Sequence, residues 1–494
     1  MPPSETRSLW DLTAAGGLPA GRVLSDGLGQ ATLASLATGT NLDGNTEALR
    51  GRTVLLSCDR QLPAALALLA LDGVAGRILL CPPDLAPGHI PAVIAEAGVE
   101  AIVSDGTGPA ANPPSGILAP GILAPGILAP GILVIRCHDT VRSATPLPHG
   151  RETEWLLFTS GTTGRPKLVS HTLASLTGPL AEGPAAGTDA VWSTFYDIRR
   201  YGGLQILLRA LLGGGSLILS RAGEPVAAFL TRMGEAGVTH VLGTPSHWRR
   251  ALMSPALERL SPRYVRLSGE VADQTILTQL ARTFPGAGLT HAFASTEAGV
   301  GFEVNDGLEG FPESVIGAAR GGIEIRVVDG SLRIRSPRTA ARYLGDRGAL
   351  AGAEGFVDTG DMVTSRDGRY YFAGRREGII NVGGQKVHPE EVEAVINRHP
   401  GVLMSRVRGK ASPITGALVV ADVVLRAAAG GEADGREGRA REAGEREAGG
   451  FATLKQEILE ACRAALPPHK APVLLREVAS LEVSAAGKMV RDHA

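Results

Sequence analysis

Apolar runs of three to five residues, spaced by segments long enough to be helices, constrain the first 150 residues of this chain most strongly. Residues 53–57 (Thr-Val-Leu-Leu-Ser), 77–81 and 101–103 read as strands, with Gln61–Leu71 and Ile90–Ala97 as helices between them. Strands joined by helix-length segments predict a parallel sheet with crossover helices. The alternation resumes after Trp155 and continues to about Pro285. A chain of 494 residues is too long for one ordinary core, so two or more domains are expected.

The pattern then changes. Residues 323–328 and 331–335 alternate with period two around Asp329-Gly330, a hairpin signal, and a second such step is Asp367-Gly368 before Arg369-Tyr370-Tyr371-Phe372. Past about 375 the composition differs again. Residues 389–397 and 451–466 are expected to be helices. Between them, 427–450 is rich in Gly, Ala, Glu and Arg without apolar periodicity and reads as a flexible insertion. Gly-Ile-Leu-Ala-Pro occurs three times from Gly116 to Pro130, and Gly131-Ile132-Leu133 starts a fourth copy. A proline every fifth residue forbids a continuous helix or a central strand. Residues 116–133 therefore read as a low-complexity surface loop; the other reading makes the Ile-Leu pairs an apolar contact for a partner.

Bulk properties exclude some classes. The net charge of −1, with no basic half, argues against nucleic acid as a partner. Cys58, Cys81, Cys137 and Cys462 lack metal-type spacing and read as reduced thiols. No apolar run reaches ~18–20 residues and the N-terminus carries no signal pattern. A soluble cytoplasmic protein with no membrane partner is expected.

Lysine is scarce: six, against 43 arginines, and none before Lys167. Where Arg is the default cation, a Lys marks a position that needs a compact ammonium on a flexible stem. Lys167 ends the string Thr159-Ser160-Gly161-Thr162-Thr163-Gly164-Arg165-Pro166-Lys167, directly after the apolar run Trp155-Leu156-Leu157-Phe158. The glycines let backbone N–H groups converge on an anion and the hydroxyls add donors, so the string reads as a phosphate-holding loop. Its spacing does not fit the Gly-x-x-x-x-Gly-Lys-Ser/Thr loop. Gly487-Lys488 lies close to the last residue of the sequence. Phosphate handling from both ends suggests activation of a substrate by a nucleotide.

From about residue 50 onward the chain resembles the acyl-adenylate-forming enzymes, which include acyl- and aryl-CoA synthetases, peptide-synthetase adenylation domains and luciferases. Five motifs in order carry the resemblance: the 159–167 loop, with Leu168 in place of the usual following glycine; Phe293-Ala294-Ser295-Thr296-Glu297, with Phe for the commoner Tyr and Ala for Gly; Asp358-Thr359-Gly360-Asp361; Gly374-Arg375-Arg376-Glu377 with Gly383-Gly384 and 385–393 after it; and Gly487-Lys488.

The resemblance implies an α/β fold. A large N-terminal domain of doubly wound sheets with a small β-barrel-like section (1–376) would bind ATP and the acid. A small mobile α+β lid (377–494) would carry Lys488. Lys488, Glu297, Thr296 and Lys167 would be catalytic, with Glu297 holding Mg²⁺ beside Thr296, a role that suits a hard cation seeking oxygen ligands. Thr159, Ser160, Gly161, Thr162, Thr163, Gly164, Gly269, Glu270, Phe293, Ala294, Ser295, Asp361 and Arg375 would line the nucleotide. Asp361 would accept from the ribose hydroxyls, as an acceptor-only group can. Glu270 stands where the family has a small residue in the adenine-side loop. Glu377 would be the hinge, in place of the usual Asp or Lys, and Gly383-Gly384 would let a pantetheine arm pass.

At the acid end, Tyr196, Arg199, Arg200 and His247 are the pocket candidates. Arg199 or Arg200 either grips a carboxylate or second polar substituent or is a solvated charge, and His247 either faces the substrate ring or is structural. Phe293 is either core or an adenine stacking face, and Gly383-Gly384 either serves the thiol arm or is only a tight turn.

The expected reaction is adenylation of a small carboxylic acid, a substituted aryl acid first of all, followed by transfer to CoA or to the phosphopantetheine of an external carrier protein. Two other classes stay open: a relative using an amine nucleophile or an acid such as nitrite, and a non-catalytic nucleotide binder. The chain is read as a monomer or homodimer.

Overall fold

The computed structural model describes residues 7–15, 21–44, 46–106, 116–117, 132–143, 150–159, 166–180, 187, 189–317, 321–345, 348–412, 415–426, 440–483 and 488–490. The early apolar runs are the centre of the first sheet. Thr53–Leu56 pairs in parallel with Arg77–Leu80 on one side and Ala101–Ser104 on the other. Thr53–Leu56 and Ala101–Ser104 are buried at every position, as strands covered on both faces must be. Gln61–Leu71 is the crossover helix, and ten of its residues are buried between the sheets. Glu154–Thr159 adds in parallel beside Arg77–Leu80, and Lys167–His171 folds back antiparallel on it.

The second large sheet runs from Gly299–Val304 through Gly288–Ser295, Tyr264–Ser268, His240–Gly243 and Val191–Thr194 to Ser216–Leu219, and on to the N-terminal strands Val23–Ser25 and Gln30–Thr32. From Gly288–Ser295 to Ser216–Leu219 the neighbours are parallel, and Gly299–Val304 turns back antiparallel on Gly288–Ser295. The helix Tyr201–Leu212 packs between the two large sheets, where its Leu204, Leu207, Leu208 and Leu211 join the main apolar cluster. The third, antiparallel sheet contains both expected hairpins. Asp329 (φ 52°) and Asp367 (φ 51°) occupy left-handed positions ahead of glycines, the geometry that matches the twist of two-residue hairpins.

After residue 377 a separate core forms. Ile380, Val387, Val392, Ile396, Val402, Val407, Val419, Ala421, Val423, Ile458, Cys462, Leu466 and Leu475 form one apolar cluster of their own. The helix Pro389–Ile396 and the strands Val402–Ser412, Gly416–Leu425 and Leu474–Glu477 supply them.

Two expectations change. The strand expected at 133–135 extends over Leu133–Ser143, and Gly116–Ile117 of the repeat pairs antiparallel with its start; residues 118–131 of the repeat lie outside the described residues. The helix expected from 451 begins at Ala440, which corrects the flexible reading of 440–450. Ala, Arg and Glu are strong helix formers, so missing apolar periodicity argued against burial there and not against helix. Residues 427–439 lie outside the described residues.

Candidate active site

Strand ends from all three sheets converge on one place. Thr159 and Lys167 face each other across the antiparallel pair of Glu154–Thr159 and Lys167–His171. The hairpin tip between them, with Ser160, Gly161, Thr162, Thr163 and Gly164, lies outside the described residues. Leu168 is fully buried beside Phe158 and Leu156, so the position after Lys167 is a core position here.

At the end of the Gly288–Ser295 strand, Ala294 and Ser295 pair with Val300 and Gly299, after a register shift that follows Phe293. The intervening turn holds Thr296 and Glu297. Ser295 Oγ accepts from the Ala298 N–H at 2.9 Å, and the Ala340 N–H donates to the Glu297 carbonyl at 2.9 Å. His171 Nε2 meets the Thr296 carbonyl at 2.7 Å. Burial pushes the His171 pKa down to about 4, so the ring is neutral at neutral pH and Nε2–H is the donor. Half-buried Tyr343, pushed up to about 12 by burial and next by Glu297, closes this side. Neither His171 nor Tyr343 was singled out from sequence. His171 acts across 125 residues, and no local pattern marks it. The Phe293 ring lies 5.7 Å from that of Phe302 and 5.6 Å from that of Phe372, within an aromatic cluster.

Asp361 sits directly across from Arg375 in the third sheet, with Nε to Oδ1 at 3.0 Å. Thr359 Oγ1 accepts from the Asp361 N–H at 3.1 Å and donates to the Leu332 carbonyl at 2.8 Å. Burial raises the Asp361 pKa, while Arg375 and Lys488 pull it back.

Lys488 reaches this cluster from the far end of the chain. A Cβ built on Gly269, a position with φ +87°, would stand 3.5 Å from Lys488 Cε. Burial lowers the Lys488 pKa, and Arg375 lowers it further, while Glu270, Asp361 and Glu297 favour the ammonium. The tail is held in a short antiparallel bridge, Val483 with Met489. Both carboxylate oxygens of Glu270, expected to line the nucleotide, are engaged by backbone: Oε2 accepts from the Ser246 N–H and Oε1 from the Met489 N–H, each at 2.9 Å.

The acid-pocket candidates separate. Tyr196 is buried and donates its hydroxyl to the Ser268 carbonyl at 2.7 Å. Its ring meets His247 edge-on at 5.8 Å. His247 completes a capping box on the helix Pro245–Leu252, its Nδ1 accepting from the Thr244 N–H at 3.2 Å. Burial lowers its pKa to about 3, so the ring is neutral. The reading of Arg199 as a grip on the acid is corrected. Its guanidinium is only 1% exposed, doubly paired with Asp197 (2.7 and 2.5 Å), and donates to the Cys58 and Asp59 carbonyls. A buried Arg with a carboxylate two residues away finds its counter-ion locally. Arg200 is likewise paired, with both oxygens of Asp84 at 2.5 and 2.6 Å. Deeper in this face, Arg266 (4% exposed) and Arg209 (12%) share Glu303, at 3.0 and 3.5 Å.

Gly383 and Gly384 form the tip of the Ile380–Val382 and Gln385–Val387 hairpin, with φ +58° and +83° and open space around both. Glu377 is exposed in the turn that joins Arg375 to this hairpin.

Among the described residues no group of three His, Cys, Asp or Glu gathers as a metal cage, and no helix is long and apolar enough to cross a membrane. Glu297 with Thr296 fits Mg²⁺ all the same, because Mg²⁺ binds through one or two carboxylates and completes its shell with phosphate and water.

The chain is similar to known proteins in sequence and in fold. The family model for AMP-binding enzymes matches residues 37–344, and that for the AMP-binding enzyme C-terminal domain matches 391–488. A 2-succinylbenzoate–CoA ligase of Salmonella typhimurium is 33% identical over 255 residues, covering 50% of this chain and 52% of its own length. A salicylyl-CoA synthase / salicylate adenylyltransferase of Streptomyces is 30% identical over 303 residues, 54% of this chain and 53% of its own. The chain thus spans about half the length of the curated relatives it matches. In fold, it matches the anthranilate CoA ligase AuaEII, solved with anthranoyl-AMP, at a TM-score of 0.71 and 17% identity over 98% of this chain and 96% of that one.

Proposed function

Since the chain belongs to the family of AMP-binding enzymes, we propose that it is an ATP-dependent acid–thiol ligase acting on a small carboxylic acid, an aryl acid first of all. The observation that carries the reading is Lys488 lying against Gly269 beside Glu297 and Asp361. The substrate must bring carboxylate oxygen to the α-phosphorus of ATP, anion against anion. Two unit charges at 4 Å repel by about 4 kcal/mol at an effective dielectric near 20. An ammonium positioned before the reaction offsets charge as it develops on the phosphoryl oxygens, without reorganisation at the moment of transfer. Lys488 would supply that ammonium: burial and then Arg375 lower its pKa from the ordinary 10.5, while Glu270, Asp361 and Glu297 oppose the shift.

The attack forms the acyl–oxygen–phosphorus bond and releases pyrophosphate. Lys167 and the Thr159–Gly164 loop would hold the departing phosphates. Thr296 and Glu297 would hold Mg²⁺, which when bound supplies further neutralisation of the triphosphate. Asp361, with Arg375, would fix the ribose. In the second half-reaction the sulfur of CoA, or of a carrier's phosphopantetheine, attacks the acyl carbonyl, and AMP leaves with the bonding pair. We take 1–376 and 377–494 as the two domains, with Glu377 as hinge and Gly383-Gly384 as the path for the thiol arm. Tyr196 and His247 would line the acid, and the phenylalanine cluster at Phe293 would flank the adenine.

The test is a pyrophosphate-release screen of aryl, short-chain and amino acids, with and without CoA. Acid-dependent release together with CoA thioester is expected. Release without thioester points to another acceptor, such as an amine. ATP binding without release from any acid overturns the ligase reading.

A further inference from the structure

Glu270 is the residue whose surroundings the expected reaction leaves unexplained. It stands between Ser268-Gly269 and the helix that starts at Gln274, and both its carboxylate oxygens are taken by backbone N–H groups of other segments. One oxygen accepts from the Ser246 N–H, in the first turn of the helix Pro245–Leu252, at 2.9 Å. The helix N-terminus favours negative charge there. The other oxygen accepts from the Met489 N–H at 2.9 Å, across 219 residues. Met489 immediately follows Lys488. Its side chain packs with Leu403, Met404, Val424 and Leu481 in the lid's own apolar cluster, and its backbone pairs with Val483. One carboxylate therefore joins a helix of the large domain to the lysine-bearing hairpin of the lid. The ion pair Arg398–Glu309, at 3.6 Å and exposed on the Arg398 side, also crosses this boundary, but it is far from Lys488 in sequence and not part of its hairpin.

We propose that Glu270 is a positioning residue: a latch that seats Lys488 for adenylation and must let go before the thiol step. The inference rests on the ligase reading for its kinetic consequence and on the two hydrogen bonds for its structural one. A side chain that accepts two N–H groups with two oxygens cannot be replaced by an amide without setting one N–H against an NH₂. Glu270→Gln should therefore behave as a weakened latch and Glu270→Ala as none. Each charge-assisted hydrogen bond removed is worth roughly 10- to 100-fold in the seated population.

The experiment measures both half-reactions and the hinge in the full chain. In Glu270→Ala, acid-dependent pyrophosphate release should fall roughly 10- to 100-fold, with a smaller loss in Glu270→Gln. Thioester formation from synthetic benzoyl-AMP or salicyl-AMP and CoA should be unchanged or faster. A merely structural role would slow both half-reactions together, and that result overturns the latch. Independently of any activity, trypsin should cut at the exposed Arg375–Arg376 segment faster in Glu270→Ala than in the parent chain. Equal cleavage rates overturn the latch too. If the parent chain releases no pyrophosphate with any acid, the ligase reading fails and the cleavage rates alone decide whether Glu270 holds the lid.

Discussion

The two halves of the site are held by different means. Thr296, Glu297, Asp361 and Arg375 hang from ladders of strand pairing, and side chains from other sheets or strands pin them further, as His171 pins the Thr296 carbonyl and Arg375 pins Asp361. Lys488 hangs from a short hairpin on a separate core, and beside the site the Met489 N–H that follows it is held by the Glu270 carboxylate. The first half is fixed by sheet pairing; the second is seated by discrete polar contacts such as this one and Arg398–Glu309. The proposed two-step reaction would use that asymmetry: a fixed floor for the nucleotide and a cation that arrives and leaves.

Four substitutions and one pH profile break or sharpen the contrast. The largest effect should come from the fixed half. Arg199→Met leaves Asp197 buried without its partner, and loss of about 3–5 kcal/mol in denaturant unfolding is expected; a change within 0.5 kcal/mol would show the pair to be dispensable. Lys488→Ala should lower adenylation by roughly 10²–10³-fold, with the thermal midpoint and the thiol step from supplied acyl-AMP kept. Surviving adenylation would remove Lys488 from its role. The pH profile adds to this. Burial lowers the Lys488 pKa from the ordinary 10.5, and the reaction uses the ammonium, so adenylation should be lost as pH rises through that lowered value, before 10.5. The thiol step should lack this alkaline limb. Asp361→Asn should cost about tenfold in both half-reactions, since the ribose stays bound through both; an effect on adenylation alone would separate Asp361 from the ribose. The smallest effect is at the lid tip. Gly383→Ala forces a Cβ at φ +58°, costing about 1 kcal/mol of lid stability, and it should raise the KM for CoA without touching pyrophosphate release.

Local patterns were the most legible. Gln61–Leu71 and Ile90–Ala97 are helices as the apolar pattern predicts, and both Asp-Gly hairpins form where the turn chemistry puts them. Composition misled at 440–450, where helix-forming residues without apolar periodicity look like a linker. At the acid end, two arginines in a row look like a substrate grip until their partners are seen: Asp197 lies two residues from Arg199, but Asp84 lies 116 from Arg200.

The sequence by itself determined the family and the strand–helix alternation, and it put Thr296 and Glu297 in one turn, because each is written in neighbouring residues that must share a turn or a strand. Only the tertiary structure decided which groups meet. His171 reaches Thr296 across 125 residues and Glu270 reaches Met489 across 219. A hydrogen bond of that span depends on where sheets and domains come to rest, and the covalent chain carries no local trace of it.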